Sequence, residues 1–370
     1  MLDREGQALR DDLLDLMRSG AGYELSTTDF DRLARRVFAY NYRHVPAYAA
    51  YCRARGREPG SLESWTQVPA VPAAAFKDVE LVASGATAER VFRTSGTTRG
   101  AERRGEHHVP DLSVYRASLR ATFAAFVLPD GARLPVLSLV PHADRAPDSS
   151  LAFMVNDVQR HFGAEPGATF ADPEGVDYDA LDRAVRQACD EGRPVLLVGT
   201  TAAFIHWLDR LAASGARHEL PEGSRLMDTG GFKGAGRTVA PHELRQAYGQ
   251  RLGLYPHYCV NEYGMTEMLS QMYDAGLRDA VAGRHGPPRK QGPPWLRSLA
   301  VDPETLEPLA AGRQGLLRHL DLANIGSVAA IQTEDLGRVD EHGLVLEGRL
   351  AGAQPRGCSI AMDLILEGGT

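Results

Sequence analysis

The tetrad Ser95-Gly96-Thr97-Thr98 follows Phe92-Arg93-Thr94 and precedes Arg99-Gly100, a run of small and hydroxyl-bearing residues after a short apolar segment. Glycine lets a backbone approach an anion closely, and the three hydroxyls add donors beside outward-pointing N–H groups. That chemistry suits phosphate, although the same composition also makes plain surface turns. A second cluster, Asn261-Glu262-Tyr263-Gly264-Met265-Thr266-Glu267, places a ring, a glycine, a hydroxyl and carboxylates in one short stretch. A ring can stack on a purine, a threonine can hydrogen-bond a phosphate oxygen, and a carboxylate can hold Mg²⁺, a hard cation that prefers oxygen. The alternative is a strand end with a tyrosine lid and two solvated acids.

Two further segments carry compatible chemistry. Met227-Asp228-Thr229-Gly230-Gly231-Phe232-Lys233 is expected at the carboxyl end of a strand, where open α/β sheets bind ligands, and paired glycines there admit a flat ligand against bare backbone. A tight strand-to-helix turn is the other use of Gly-Gly. Gln332-Thr333-Glu334-Asp335-Leu336-Gly337-Arg338 and Leu346-Glu347-Gly348-Arg349 supply an aspartate suited to ribose hydroxyls and arginines suited to phosphate. Charged turns between short strands would read the same way.

The elements that must position these residues follow from periodicity. Helical spacing of apolar residues runs from about Arg10 to Arg55 and is interrupted at Pro46. Short apolar runs then alternate with amphipathic stretches: strands over 90–94, 134–140, 194–198, 225–228 and 257–260, helices over 111–127, 149–162, 178–190, 201–213 and 241–252. Such alternation predicts an α/β fold, a mixed but mainly parallel sheet with helices on both faces. A Gly/Pro/Arg-rich stretch, 283–294, reads as a mobile loop, and short strands over 295–301, 315–320, 328–333 and 344–346 read as a β-rich subdomain. The expected organisation is a helical lead-in (1–70), an ATP- and acid-binding core (71–275), the β-rich subdomain (276–349) and a terminal segment (350–370).

Composition narrows the classes. A 370-residue chain with 43% apolar content buries a large core, and its net charge of −7 offers no cationic field for nucleic acid. Cys52, Cys189, Cys259 and Cys358 are dispersed with no CxxC pairing, which speaks against a disulfide framework or a zinc site. The acidic start Met1-Leu2-Asp3-Arg4-Glu5 and the lack of a long apolar run give the expectation of a cytoplasmic protein without a membrane span. Lysine occurs only at positions 77, 233 and 290, so arginine must carry most cationic roles.

Together, SGTT, TGGFK, NEYGMTE, TEDLGR and EGR stand in the order and approximate spacing of the adenylate-forming superfamily, which activates carboxylic acids with ATP. Asp148 to Met154, Gly292-Pro293-Pro294-Trp295-Leu296-Arg297, Leu317-Arg318-His319-Leu320-Asp321-Leu322-Ala323-Asn324 and Arg356-Gly357-Cys358-Ser359 resemble the LuxE-type acyl-protein synthetases, from about Val71 onward. The resemblance implies that Ser95, Gly96, Thr97 and Thr98 cradle the ATP phosphates, that Gly230 and Gly231 flank adenine and Tyr263 stacks on it, with Gly264 in the same motif. It further implies that Thr266 and Glu267 serve the α-phosphate and Mg²⁺, that Asp335 binds the ribose, and that Arg349 meets the nucleotide near a hinge. All these pieces are expected to converge on one triphosphate.

The resemblance also makes Cys358 the acyl acceptor. The neighbouring residues agree, since the cation of Arg356 and the open backbone of Gly357 are expected to lower the thiol pKa; Cys189 and Cys259 instead read as inert packing residues within a helix and a strand. Two departures stand out. Thr98 is followed by Arg99 where the superfamily more often has glycine. Only 21 residues follow Arg349, none of them lysine, whereas most of the superfamily ends in a rotating domain of about a hundred residues with an adenylation lysine. Lys233, Arg237 and Arg99 are the candidate replacements, and His142 is a candidate for lining the acid pocket. The expected partners are a carboxylic, above all fatty, acid and an acyl reductase or acyl carrier. Transfer to coenzyme A, a carrier thiol or an amine is the alternative reaction, and a non-catalytic docking partner of a reductase is the alternative class.

Overall fold

The structure is a computed structural model that describes residues 2–95, 103–231, 233–234, 237–350 and 356–368. Gly96, Thr97, Thr98 and Arg99 lie outside the described residues, as do the side chains of Lys233, Arg237 and Arg356. The chain forms two compact units: Met1–Thr122 with Met265–Gln271 and Arg289–Thr370, and Phe123–Gly264 with Met272–Pro288.

The second unit is the predicted parallel α/β layer. Strands Ala164–Thr169, Pro135–Ser138, Leu196–Thr200, Arg225–Thr229 and Cys259–Tyr263 run parallel in that spatial order, and Met272–Asp274 pairs antiparallel with Cys259–Tyr263. Strands buried on both faces read as continuous apolar runs, and Leu196-Leu197-Val198 is such a run. Helix Tyr178–Asp190 begins where the Asp177 carboxylate accepts from Ala180 N, and Leu181, Val185 and Ala188 form its buried stripe. Helix Thr201–Ser214 is capped by Thr200 and stops at left-handed Gly215. Trp207, Phe204, Tyr248 and Leu226 lie at the heart of this core.

One strand differs from its sequence reading. A strand over 257–260 was expected; Pro256–Tyr258 is a 3-10 helix and the strand is Cys259–Tyr263. The polar residues Asn261 and Glu262 disguise it. Both are buried because partners on the neighbouring strand satisfy them: Asn261 Nδ2 donates to Asp228 Oδ1 at 2.8 Å, and Thr229 Oγ1 donates to Glu262.

The first unit joins the amino-terminal helices to the carboxyl-terminal sheet. Helices Arg4–Arg18 and Thr27–His44 start at Asp3 and Ser26 caps, and Pro46 opens a third helix, Pro46–Ala54, as the sequence break suggested. Strands Leu296–Val301, Gln314–Asp321, Ala330–Asp340 and Gly343–Arg349 form an antiparallel meander, with Lys290–Gln291 on Gly343–Arg349 and Val71–Pro72 parallel to Ala330–Asp340. Arg90–Arg93 pairs with Glu106–Val109 in a separate hairpin. The helix Arg356–Gly368 was not anticipated and packs against Pro46–Ala54.

His319, in the middle of the meander, is wholly buried beside Ser298, and burial pushes its pKa down to about 4. The folded pKa lies below the unfolded one, so the stabilising contribution is present above about 6.5 and is lost as pH falls toward 4. The expected loss is at most about 3 kcal/mol. Urea unfolding at pH 7 and pH 4.5 should show a flatter pH dependence for His319→Asn than for the parent chain. An unchanged slope would remove His319 as its source.

Candidate active site

In the first unit, charges from distant motifs act on Glu267. Glu267 is 7% exposed, and burial pushes its pKa up to about 7 against the pull of Arg349 and Lys77, with Asp335 adding to the rise. Charges from sequence positions 77, 267, 335 and 349 therefore share one electrostatic neighbourhood. Asp335 and Arg349 are register partners on adjacent antiparallel strands, and Arg349 forms a 2.9 Å ion pair with Glu334. A bulge between Leu336 and Gly337 marks the same place. Bulges re-aim side chains and recur beside active sites.

Thr266 and Glu267 sit on a segment held by many fixed partners. The buried Asp321 carboxylate accepts from Leu269 N, Ser270 N and Ser270 Oγ at 2.7–2.8 Å and from Ala323 N at 3.0 Å. Trp295 Nε1 donates to Ser118 Oγ, which meets Ser270 Oγ at 2.9 Å. The Gly292–Arg297 and Leu317–Asn324 motifs thus brace the carboxylate-bearing segment.

Ser95 is exposed and stands just after Arg90–Arg93, the first strand of the hairpin that Glu106–Val109 completes. The hairpin is locked at the end that leads into its connecting loop: Thr94 N donates to Gly105 O, Gly105 N to Thr94 Oγ1, and Arg104 Nε to Thr94 O at 2.6 Å. From the partner strand, His107 Nδ1 lies 2.7 Å from Thr266 O. The strand leading to Ser95 and the segment bearing Glu267 are thereby tied together.

The second unit gathers the other candidates. Gly230 and Gly231 follow Arg225–Thr229, and Tyr263 ends the adjacent parallel strand Cys259–Tyr263, so all three stand at the same carboxyl edge. Gly230 has φ +95°, a conformation that favours glycine, and Gly231 is exposed with open space where a Cβ would lie. Tyr263 is buried and Gly264 exposed. Lys233 lies in the short strand Lys233–Gly234, paired with Arg237–Thr238. His142 is engaged locally, with Nδ1 accepting from Asp144 N at 3.3 Å.

Cys358 occupies the first turn of Arg356–Gly368 and is 4% exposed. The expectation of a lowered thiol pKa is corrected. Burial pushes it up, Glu334 and Glu304 push the same way, and Arg318 opposes them. Gly357 is needed for close approach, since a Cβ there would fall within 3 Å of the carbonyl oxygens of Pro303 and Glu304. Glu334 is also the partner of Arg349, so the thiol and the arginine answer to one carboxylate.

Sequence reasoning left Lys77, Glu334, His107 and Asn324 without roles. For Lys77 the signal was available in the scarcity of lysines. The other three reveal themselves only through contacts across the chain.

The acyl-protein synthetase, LuxE, family model matches residues 10–366. The long-chain-fatty-acid–luciferin-component ligase of Aliivibrio fischeri is 23% identical over 352 residues, covering 91% of this chain and 88% of the relative. That of Vibrio harveyi is 20% identical over 347 residues, covering 90% and 86%. Among solved structures, an open conformation of 2-hydroxyisobutyryl-CoA ligase with 2-HIB-AMP and CoA matches with TM-score 0.59 at 14% identity, over 87% of this chain and 75% of that one. An ATP-bound RpMatB-BxBclM chimera matches with TM-score 0.49 at 17% identity; 72% of this chain is covered, and the chain spans 49% of the chimera's length.

Proposed function

The chain belongs to the acyl-protein synthetase family, LuxE, and from that premise we propose that its acid is a long-chain fatty acid and its first acyl acceptor the thiol of Cys358. It is a ligase, activating a carboxylic acid with ATP and transferring the acyl group. The observation that supports the residue assignment is the buried Glu267 carboxyl, on which the charges of Arg349, Asp335 and Lys77 act through space.

In the first step the acid carboxylate attacks the α-phosphorus, the bond to the β-phosphate bridge breaks, and pyrophosphate leaves an acyl-adenylate. In the second, the Cys358 thiolate attacks the acyl carbon and AMP leaves. In the first unit, Ser95 with Gly96, Thr97 and Thr98 takes the phosphates, Thr266 the α-phosphate, Asp335 the ribose and Arg349 the developing negative charge. In the second, Gly230, Gly231 and Gly264 shape an adenine site on which Tyr263 stacks. Lys233 is the side chain proposed to stand in for the adenylation lysine, and in the first unit Lys77 is a further candidate because its charge is felt at Glu267.

Mg²⁺ is proposed to accompany the nucleotide. Among the described residues no cluster of three or more His, Cys, Asp or Glu could hold a metal, and Mg²⁺ characteristically takes one or two carboxylates together with substrate phosphates. Glu267 is the carboxylate that would hold it, and the ion would supply charge neutralisation at the phosphates. An acyl reductase is the proposed downstream partner and the cytoplasm the proposed location. Among the described residues no helix is long and apolar enough to cross a membrane.

Labelled long-chain fatty acid and ATP, incubated with the protein and resolved on a denaturing gel, should give a band at the protein's own mass that hydroxylamine removes. Label found only on added coenzyme A or a carrier protein would move the acceptor off this chain. Pyrophosphate exchange across a panel of acids should peak with the long-chain members.

A further inference from the structure

The backbone that carries Thr266 and Glu267 is gripped by two side chains that the proposed reaction leaves unused. His107 Nδ1 meets Thr266 O at 2.7 Å, and Asn324 Nδ2 donates to Glu267 O at 2.8 Å and to Val328 O at 3.2 Å. Both residues are 1% exposed. A carbonyl oxygen only accepts, so Nδ1 carries the imidazole hydrogen; two carbonyls at Nδ2 likewise fix the orientation of the Asn324 amide. Burial pushes the His107 pKa down to about 4, so the ring is neutral near pH 7 and Nε2 is a bare acceptor.

His107 Nε2 and Asn324 Oδ1 are both buried and without a hydrogen-bond partner among the described residues. Both residues line one small cavity, with Leu269 and Ser327 among its walls, of about 10 Å³. Two unmet acceptors on residues that line one cavity call for a molecule with two donors, and the space suits a single water.

We propose that His107 and Asn324 are positioning residues that hold the Thr266 and Glu267 carbonyls through direct N–H donors and are cross-braced by one water shared between His107 Nε2 and Asn324 Oδ1. The brace keeps the Glu267 carboxylate where a magnesium nucleotide requires it, and it rests on the reading of Glu267 given above. Outer partners of metal ligands act in this way, and their loss typically costs about 10- to 100-fold in metal affinity or activity.

The test uses the full chain and calorimetric binding of ATP with and without Mg²⁺, beside kcat and KM in pyrophosphate exchange and thermal unfolding. His107→Leu and Asn324→Asp are expected to weaken the magnesium-dependent part of ATP binding by about tenfold or more and to lower kcat, leaving the KM for the acid within about twofold. His107→Asn keeps a donor where Nδ1 stood and should restore both to within about threefold of the parent. Folded leucine and aspartate variants with unchanged magnesium dependence would overturn the proposal. So would an asparagine variant as impaired as leucine, and if the leucine variant does not fold, the asparagine variant decides alone. Glu267→Gln measured in parallel separates the two levels. Its loss of exchange with the brace variants unaffected defeats the brace alone, whereas its retention of exchange defeats the reading of Glu267 and the brace with it. A crystal structure should show one water within hydrogen-bond distance of both acceptors, and a dry cavity would remove the cross-brace.

Discussion

Glu267→Gln is expected to lower acid-dependent pyrophosphate exchange by at least about a hundredfold, the scale on which preorganised electrostatic groups act at a charged transition state. The isosteric amide keeps the packing and loses the charge. It should also stabilise the protein. Burial raises the folded pKa of Glu267 to about 7 from its ordinary value of 4.5, so the folded state binds more protons than the unfolded state between those values. Stability attributable to this group is therefore present at low pH and lost as pH rises through about 7, a cost of at most about 3 kcal/mol at pH 8. The glutamine variant should melt higher than the parent at pH 8 and nearly with it at pH 4. A carboxylate that costs stability unless something binds it is the pattern of a functional group. If the variant retains exchange, Glu267 has no part in adenylation; if it gains no stability at pH 8, the elevated pKa is wrong.

Cys358→Ser is expected to keep pyrophosphate exchange within about threefold of the parent and to lose the hydroxylamine-sensitive acyl band, because sulfur enters only after the acyl-adenylate exists. The environment adds a second, independent expectation. The thiol is pushed up by burial and by Glu334 and Glu304, so the thiolate is a minor species at pH 7. The single-turnover rate of acyl transfer from preformed acyl-adenylate should then rise about tenfold per pH unit between pH 7 and 8.5. A rate that is flat over that range would mean a thiol already ionised. A serine variant that still labels as a thioester would place the acceptor at another cysteine. Cys52 and Cys259, each pushed up to about 12 by burial, are the poorer nucleophiles.

Much of the α/β layer was legible because its signals are local. Helices 178–190 and 241–252 match their apolar stripes and caps, and buried strands such as Leu196–Thr200 announce themselves as apolar runs. Boundaries failed where polar side chains are satisfied by distant partners, as at Asn261 and Glu262, or where a strand continues past its apolar part. Ala330–Asp340 extends well beyond the expected 328–333 because its later residues pair with Gly343–Arg349. The helix Arg356–Gly368 escaped because Gly357 stands in its first turn, where propensity disfavours it and only packing against the Pro303 and Glu304 carbonyls explains it.

What the amino-acid order alone determined was the kind of chemistry. Glycine, hydroxyl and carboxylate motifs in a set succession imply nucleotide-dependent acid activation, because residue type limits what a side chain can donate, accept or ligate. What only the tertiary structure decided was the state of those groups. Glu267 is raised toward neutrality, Cys358 is raised when its neighbours in sequence suggested the reverse, and Lys77, Glu334, His107 and Asn324 enter from remote segments. Burial and through-space charge set a pKa, and neither is a property of adjacent residues.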